Sequence, residues 1–325
     1  MRRVALSLII ATSLLAACSN SDGSNGQTAT TAADTTVGAT TTISVAPDTT
    51  TADTAAPPDP SRPYDVFTPS GYDAATPTPL VILLHGYGAS GVIQEGYFGV
   101  QALAEEKGFL YVHPDGTKNV AGDQFWNATD ACCGFRSDVD DVAYLTGIID
   151  AVAQQWNVDP KRVFLMGHSN GGFMSYRMAC DVSDRIAAIA SLAGATFDDP
   201  TACTPKEPVS VLQVHGTADG TIGYEGGTIP IVNRTYPGAA TTVATWAGYN
   251  DCAATPTDTG DSFDFAPDLP GNETTSQRFD GCPDGIDVEL WSIAGGSHIP
   301  GITFADGSRP MTAAMVDFLL AHPKP

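Results

Sequence analysis

An α/β fold, with a mostly parallel central sheet covered by helices on both faces, follows from two observations. Short apolar runs alternate along the chain with segments of helical spacing. One strand-to-helix junction also carries a serine framed by glycines, Gly167-His168-Ser169-Asn170-Gly171.

The runs at residues 80–84 and 109–113 are continuous and apolar, as in strands buried on both faces. Residues 138–156 have helical spacing, with Val142, Leu145, Ile149, Val152 and Trp156 on one side. Strands are expected at 162–166, 186–192, 209–214 and 288–293, and a helix at 173–180. A last helix starts after Ser308, which can cap it, with Pro310 in its first turn and Met311, Met315, Phe318 and Leu319 as its buried stripe. No internal repeat and no second domain is visible. The folded domain is expected to span 62–325.

Composition narrows the function. Fifteen Lys+Arg against 37 Asp+Glu leave a net charge of −22. Such a chain gains nothing from counterion release off nucleic acid, nor from electrostatic docking to anionic lipid. At 42% hydrophobic it can bury a sizeable core. Residues 19–60, rich in Thr, Ala, Asp, Ser and Gly, cannot offset their ordering entropy and read as a disordered tether, with the whole linking segment running over 18–61.

The cysteine count is seven, an odd number. Arg2 and Arg3 precede an apolar run from Val4 to Ala17, shorter than the ~20 residues a membrane span needs and suited to an export signal. Leu15-Ala16-Ala17-Cys18 resembles a bacterial lipobox, which makes 1–17 a lipoprotein signal peptide, Cys18 the lipidated first mature residue, and the protein an exported one held to a membrane by that anchor. The remaining Cys132, Cys133, Cys180, Cys203, Cys252 and Cys282 are even in number and point to disulfides. A bond between the adjacent Cys132 and Cys133 would be strained, so each is expected to reach Cys180 or Cys203, with Cys252 paired to Cys282. No metal-ligand spacing and no cofactor motif is present.

Ser169 sits where G-x-S-x-G forms a tight strand–turn–helix elbow that lifts a nucleophilic hydroxyl above the sheet edge. A hydroxyl needs a base. Of six histidines, His322 lies in the C-terminal tail and reads as solvated, and His113 as structural. His168 should point away from Ser169, and His85 and His215 are suited to fixing loops. His298, in Gly295-Gly296-Ser297-His298 after the last strand, is the expected base. The order Ser…Asp…His then places the acid at Asp219, after the strand at 209–214. Asp251, Asp258, Asp261, Asp264 and Asp268 fall in an acidic stretch that reads as a solvated loop. The oxyanion donors are expected to be the backbone N–H groups of Asn170 and Tyr87.

With these motifs in place, the chain resembles the polyhydroxybutyrate depolymerase and feruloyl esterase family of secreted α/β-hydrolases. Leu84-His85-Gly86, Cys132-Cys133-Gly134 before Val139-Asp140-Asp141-Val142, the serine block, His215-Gly216-Thr217-Ala218-Asp219 and Gly295-Gly296-Ser297-His298 carry the resemblance. It implies that Ser169, Asp219 and His298 form a catalytic triad. Relatives often continue the histidine block with Trp-Pro-Gly, where this chain has Ile299-Pro300-Gly301. Trp126 and Trp246 are candidate substrate contacts. The expected protein is a monomeric esterase acting on polyester or hydroxycinnamoyl esters without a cofactor; a non-catalytic envelope lipoprotein and a serine peptidase are the alternatives.

Overall fold

The computed structural model of the chain describes Asp59 and residues 61–325, residue 136 excepted. Cys18, the leader before it and the tether through residue 58 lie outside the described residues. In chain order the strands are β1 (Val66–Phe67), β2 (Thr78–Leu84), β3 (Leu110–Val112), β4 (Thr117–Lys118), β5 (Gln124–Phe125), β6 (Val158–His168), β7 (Ala188–Leu192), β8 (Ser210–Gly216), β9 (Gly226–Ile229), β10 (Arg234–Pro237), β11 (Pro256–Phe263), β12 (Thr274–Phe279) and β13 (Val288–Ile293). The helices are α1 (Gly91–Phe98), α2 (Val100–Lys107), α3 (Asp141–Gln155), α4 (Asn170–Asp181), α5 (Ala239–Tyr249) and α6 (Pro310–Ala321).

Nine strands form one sheet in the order β1-β3-β2-β6-β7-β8-β13-β12-β11. From β3 to β13 all neighbours are parallel. β1, β12 and β11 are antiparallel additions at the two edges. The period-two geometry of a strand explains the continuous apolar run in β2. Leu80, Ile82 and Leu84 enter one core, Val81 and Leu83 the other. The first core is closed by α3, α4 and α5 through Leu145, Phe173 and Trp246, among others. The second is closed by α1, α2 and α6 through Phe98, Val100 and Met311. Each such fully buried aliphatic side chain contributes on the order of 1.5–3 kcal/mol.

Several expectations are corrected. Asp258 and Asp261 lie in edge strand β11, not in a solvated loop. An edge strand holds its place by backbone pairing to β12 and can leave both faces polar, so periodicity does not reveal it. Ser308 does not cap α6. Its hydroxyl bonds Asp306 at 2.7 Å, and Arg309 is the N-cap residue. His322 is not solvated: Nε2 donates to Asp287 at 2.8 Å and the ring packs on Phe318. Burial opposes its charge, but the Asp287 carboxylate outweighs that and raises its pKa. Helix α1 was hidden because Gly91 and the exposed Val92 and Ile93 break the periodicity. Its capping residue Ser90, which accepts the Ile93 N–H at 3.3 Å, is the signal that marks it.

The disulfides also differ in part. Cys252 pairs with Cys282, as expected. Cys180 pairs with Cys203, their Cα atoms 5.6 Å apart, and Cys132 pairs with its neighbour Cys133 across a cis peptide. With Cys180 and Cys203 engaged with each other, neither is free to take Cys132 or Cys133.

Candidate active site

Ser169 occupies the turn between β6 and α4 with φ 53° and ψ −120°, a left-handed backbone that non-glycine residues rarely adopt. Close packing holds the turn. A Cβ on Gly167 would fall 2.2 Å from the Gly171 carbonyl oxygen, and one on Gly171 would fall 2.1 Å from that of Leu84. The glycines of the motif are therefore demanded by space as well as by the turn.

Asp219 follows β8 and His298 follows β13, so both stand at the carboxyl edge of the parallel sheet, as Ser169 does. His298 Nδ1 lies 2.8 Å from Asp219 Oδ2. The other oxygen of Asp219 accepts the Thr221 and Ile222 N–H groups at 2.8 and 2.9 Å. Burial opposes ionisation of Asp219. His215 Nε2, 3.4 Å from Oδ2, together with hydrogen bonds from His298 and the Thr221 N–H, outweighs it and holds the carboxyl well below the usual range. The two loops are locked together: Thr217 Oγ1 accepts the Gly295 N–H at 2.8 Å, and the Ala218 N–H donates to Gly296 O at 2.9 Å.

His215 and His85 fix loops, as expected. His215 Nε2 donates to Ile222 O at 2.8 Å. His85 Nε2 accepts the Gly116 N–H at 2.9 Å, so its proton sits on Nδ1 and reaches Gly86 O at 2.8 Å. His168 departs from expectation. It lines the same cleft as Ser169, with its ring centre 4.8 Å from that of His298 and its Nε2–H donating to His298 O at 2.9 Å. Burial, and secondarily His298, lowers its pKa to about 4, so it is neutral at pH 7.

The loop after β2 presents three consecutive N–H groups. That of Gly86 donates to Gln94 Oε1 at 3.0 Å and that of Gly88 to Gln124 O at 2.8 Å. The Tyr87 N–H has no protein acceptor among the described residues, and neither has that of Asn170 at the start of α4. The Asn170 side chain is bolted to Trp126, accepting its N–H at 2.7 Å and donating to its carbonyl at 2.9 Å. Trp126 Nε1 in turn donates to His85 O at 3.1 Å.

Trp126 thus ties the two N–H-bearing segments together from inside the core. It is fully buried, as is Trp246, whose Nε1 donates to Thr196 Oγ1 at 3.1 Å. Neither lines the cleft, which corrects their reading as substrate contacts. Large aromatic side chains with a bonded N–H pack well in a core, and single-sequence reading does not separate that use from ligand stacking.

The cleft measures about 380 Å³. Its walls are Tyr87, Ile93, Tyr97 and Ile299 around Ser169 and His298. Ile93 and Ile299 are 63% and 61% exposed, so its rim is apolar. Tyr97 donates its hydroxyl to Pro300 O at 2.8 Å, and burial raises its pKa. No hydrogen bond joins Ser169 to His298, a contact that in free enzymes is often long and tightens on substrate. The roles of Tyr97 and His168 rest on partners 203 and 130 residues away in the chain, and Gln94, although its partner Gly86 is only 8 residues off, stands in no motif that would mark it.

A sequence model of the family described as esterase PHB depolymerase matches residues 63–251. Feruloyl esterase B of Piromyces equi is 31% identical over 242 residues, covering 72% of this chain and 42% of that protein. The chain therefore spans less than half the length of that relative. Feruloyl esterase D of Neurospora crassa is 28% identical over 254 residues, 74% of each. Among solved structures, acetyl xylan esterase from Aspergillus awamori aligns with a TM-score of 0.52 at 14% identity, covering 77% of this chain and 93% of that one. That likeness is one of fold, and the fold is the α/β-hydrolase fold.

Proposed function

Because the chain belongs to the esterase PHB depolymerase family, we propose that it is a serine carboxylic-ester hydrolase that works through an acyl-enzyme. Ser169 Oγ attacks the ester carbonyl as His298 takes its proton. The carbonyl oxygen becomes an oxyanion held by the Tyr87 and Asn170 N–H groups. The C–O bond to the alcohol breaks, and His298 returns the proton to the departing oxygen. Water then attacks the acyl-enzyme by the same route and frees the acid. Asp219 holds the His298 tautomer and stabilises the imidazolium.

The observation that carries this reading is the 2.8 Å contact of His298 Nδ1 with Asp219, with His298 in one cleft beside the elbow serine. The apolar walls suit a neutral ester. The names of the relatives support esters of the hydroxycinnamoyl, acetyl or hydroxyalkanoate type as substrates. Residues 1–17 are a cleaved leader, Cys18 carries lipid, and 18–61 tether the 62–325 domain to a membrane after export; three disulfides favour an oxidising compartment.

Labelling by a serine-directed phosphonate tests the mechanism. Wild type should be modified at Ser169 and lose activity, and Ser169→Ala should be neither labelled nor active. Full activity in Ser169→Ala would refute it. A panel of p-nitrophenyl butyrate, methyl ferulate, a hydroxybutyrate oligomer and a peptide anilide identifies the ester and would expose a peptidase.

A further inference from the structure

Gln94 is a polar side chain, 4% exposed, in the wall of an otherwise mostly apolar cleft. Its two amide ends have different surroundings. Oε1 accepts the Gly86 N–H at 3.0 Å. That bond sets the orientation of the amide, because a backbone N–H can face only the oxygen. Nε2 therefore points away from Gly86, and it has no protein acceptor among the described residues. Nor is it among the sealed-off unpaired polar atoms, so it opens to the cleft.

The direction of the reaction says which part of an ester this donor would meet. His298 must return a proton to the departing alcohol, so the alcohol portion lies on the side of His298 and Thr221. The acyl portion then falls to the remaining lining at and just before the start of α1, Ala89, Ile93 and Gln94. Tyr97 has committed its hydroxyl to Pro300. On that lining Gln94 Nε2 is the one uncommitted side-chain donor among the described residues.

We propose that Gln94 is a specificity-determining residue. Its Oε1 holds the loop that bears the Tyr87 N–H, while its Nε2–H binds an acceptor oxygen on the acyl chain. The site thereby favours hydroxy- or alkoxy-acyl esters over plain alkanoyl esters of equal length. The inference rests on the ester-hydrolase reading above. A donor left unpaired beside a methylene disfavours the plain chain, and pairing with an ether or hydroxyl oxygen favours the substituted one.

The test compares p-nitrophenyl 3-methoxypropanoate with p-nitrophenyl pentanoate, equal in chain length and differing by one oxygen for one methylene. The ratio of their kcat/KM values is divided by the ratio of their hydroxide-catalysed rates. This corrected ratio does not depend on how much of a variant is folded. Wild type should favour the methoxy ester about tenfold, the effect of one neutral hydrogen bond.

In Gln94→Leu, and in Gln94→Glu, which keeps an acceptor for Gly86 but loses the donor, the ratio should fall to about one or below. A wild-type ratio near one, or a tenfold preference surviving in both variants, overturns the assignment of Gln94 alone. Absence of hydrolysis of both esters by wild type, with Ser169 unlabelled by phosphonate, overturns the ester-hydrolase reading and this inference with it.

Discussion

His168 Nε2 donates to the backbone carbonyl of His298 at 2.9 Å, so the residue before the candidate nucleophile braces the candidate base. The two residues are 130 apart in sequence, and the sheet brings them together because β6 and β13 end at the same edge. Tyr97 braces the same loop through Pro300 O. The brace is neutral, which matters because a second cation beside His298 would oppose the imidazolium formed during reaction.

His168 also makes stability depend on pH. Its pKa is about 4 in the folded protein, below the ordinary 6.5, so the unfolded chain binds more protons between those values. The His168 contribution is full above 6.5 and is lost as pH falls towards 4. Urea unfolding of wild type at pH 7 and 4.5 should show this loss, and His168→Phe should lose less by on the order of 2 kcal/mol. An equal loss in both proteins would contradict it.

Asp219→Asn should lower kcat by about 10³–10⁴-fold with little change in KM. An amide can donate to His298 Nδ1 and so favours the wrong tautomer. A p-nitrophenyl butyrate assay checks this; a loss under tenfold would remove Asp219 from the proposed mechanism.

The Arg62–Asp141 pair, at 2.5 Å, is a stability prediction away from the cleft. Burial raises the pKa of Asp141, opposed by bonds from the Asn127 N–H and Arg62. Arg62→Met strands that carboxylate and should destabilise by about 3–5 kcal/mol. Arg62→Met/Asp141→Asn should recover part of the loss in denaturant melts.

Removing the Cys252–Cys282 bond by a double alanine substitution opens a loop with a sequence separation of 30. The expected cost is about 3–4 kcal/mol. Cys282 lies just before β13, at the end of the sheet opposite His298. Activity of the folded variant on a small ester should therefore be essentially unchanged. A large drop in kcat would show coupling between the edge strands and the cleft.

The parallel core strands were legible because burial on both faces leaves an uninterrupted apolar signature, as in residues 80–84. Ser169 was legible because its turn geometry demands glycines at fixed offsets. β11 was not, since an exposed edge strand needs no apolar face. The partner of Cys132 was not, since proximity in space selects among the possible pairings and sequence does not. Trp126 was visible as a residue, but its role of joining the His85 and Asn170 segments depends on both having already been brought beside it.

The sequence by itself determined the αβα layering, the candidate nucleophile and the short set of residues from which an acid and a base could come, because periodicity and turn sterics are local. Only the tertiary structure decided which groups meet: His298 on Asp219, His168 on the base loop, Gln94 on Gly86 with its other end open to the cleft. The first two contacts join segments far apart in the chain, and the third joins a loop to a helix whose apolar periodicity is broken, so no local rule of backbone or pattern encodes them.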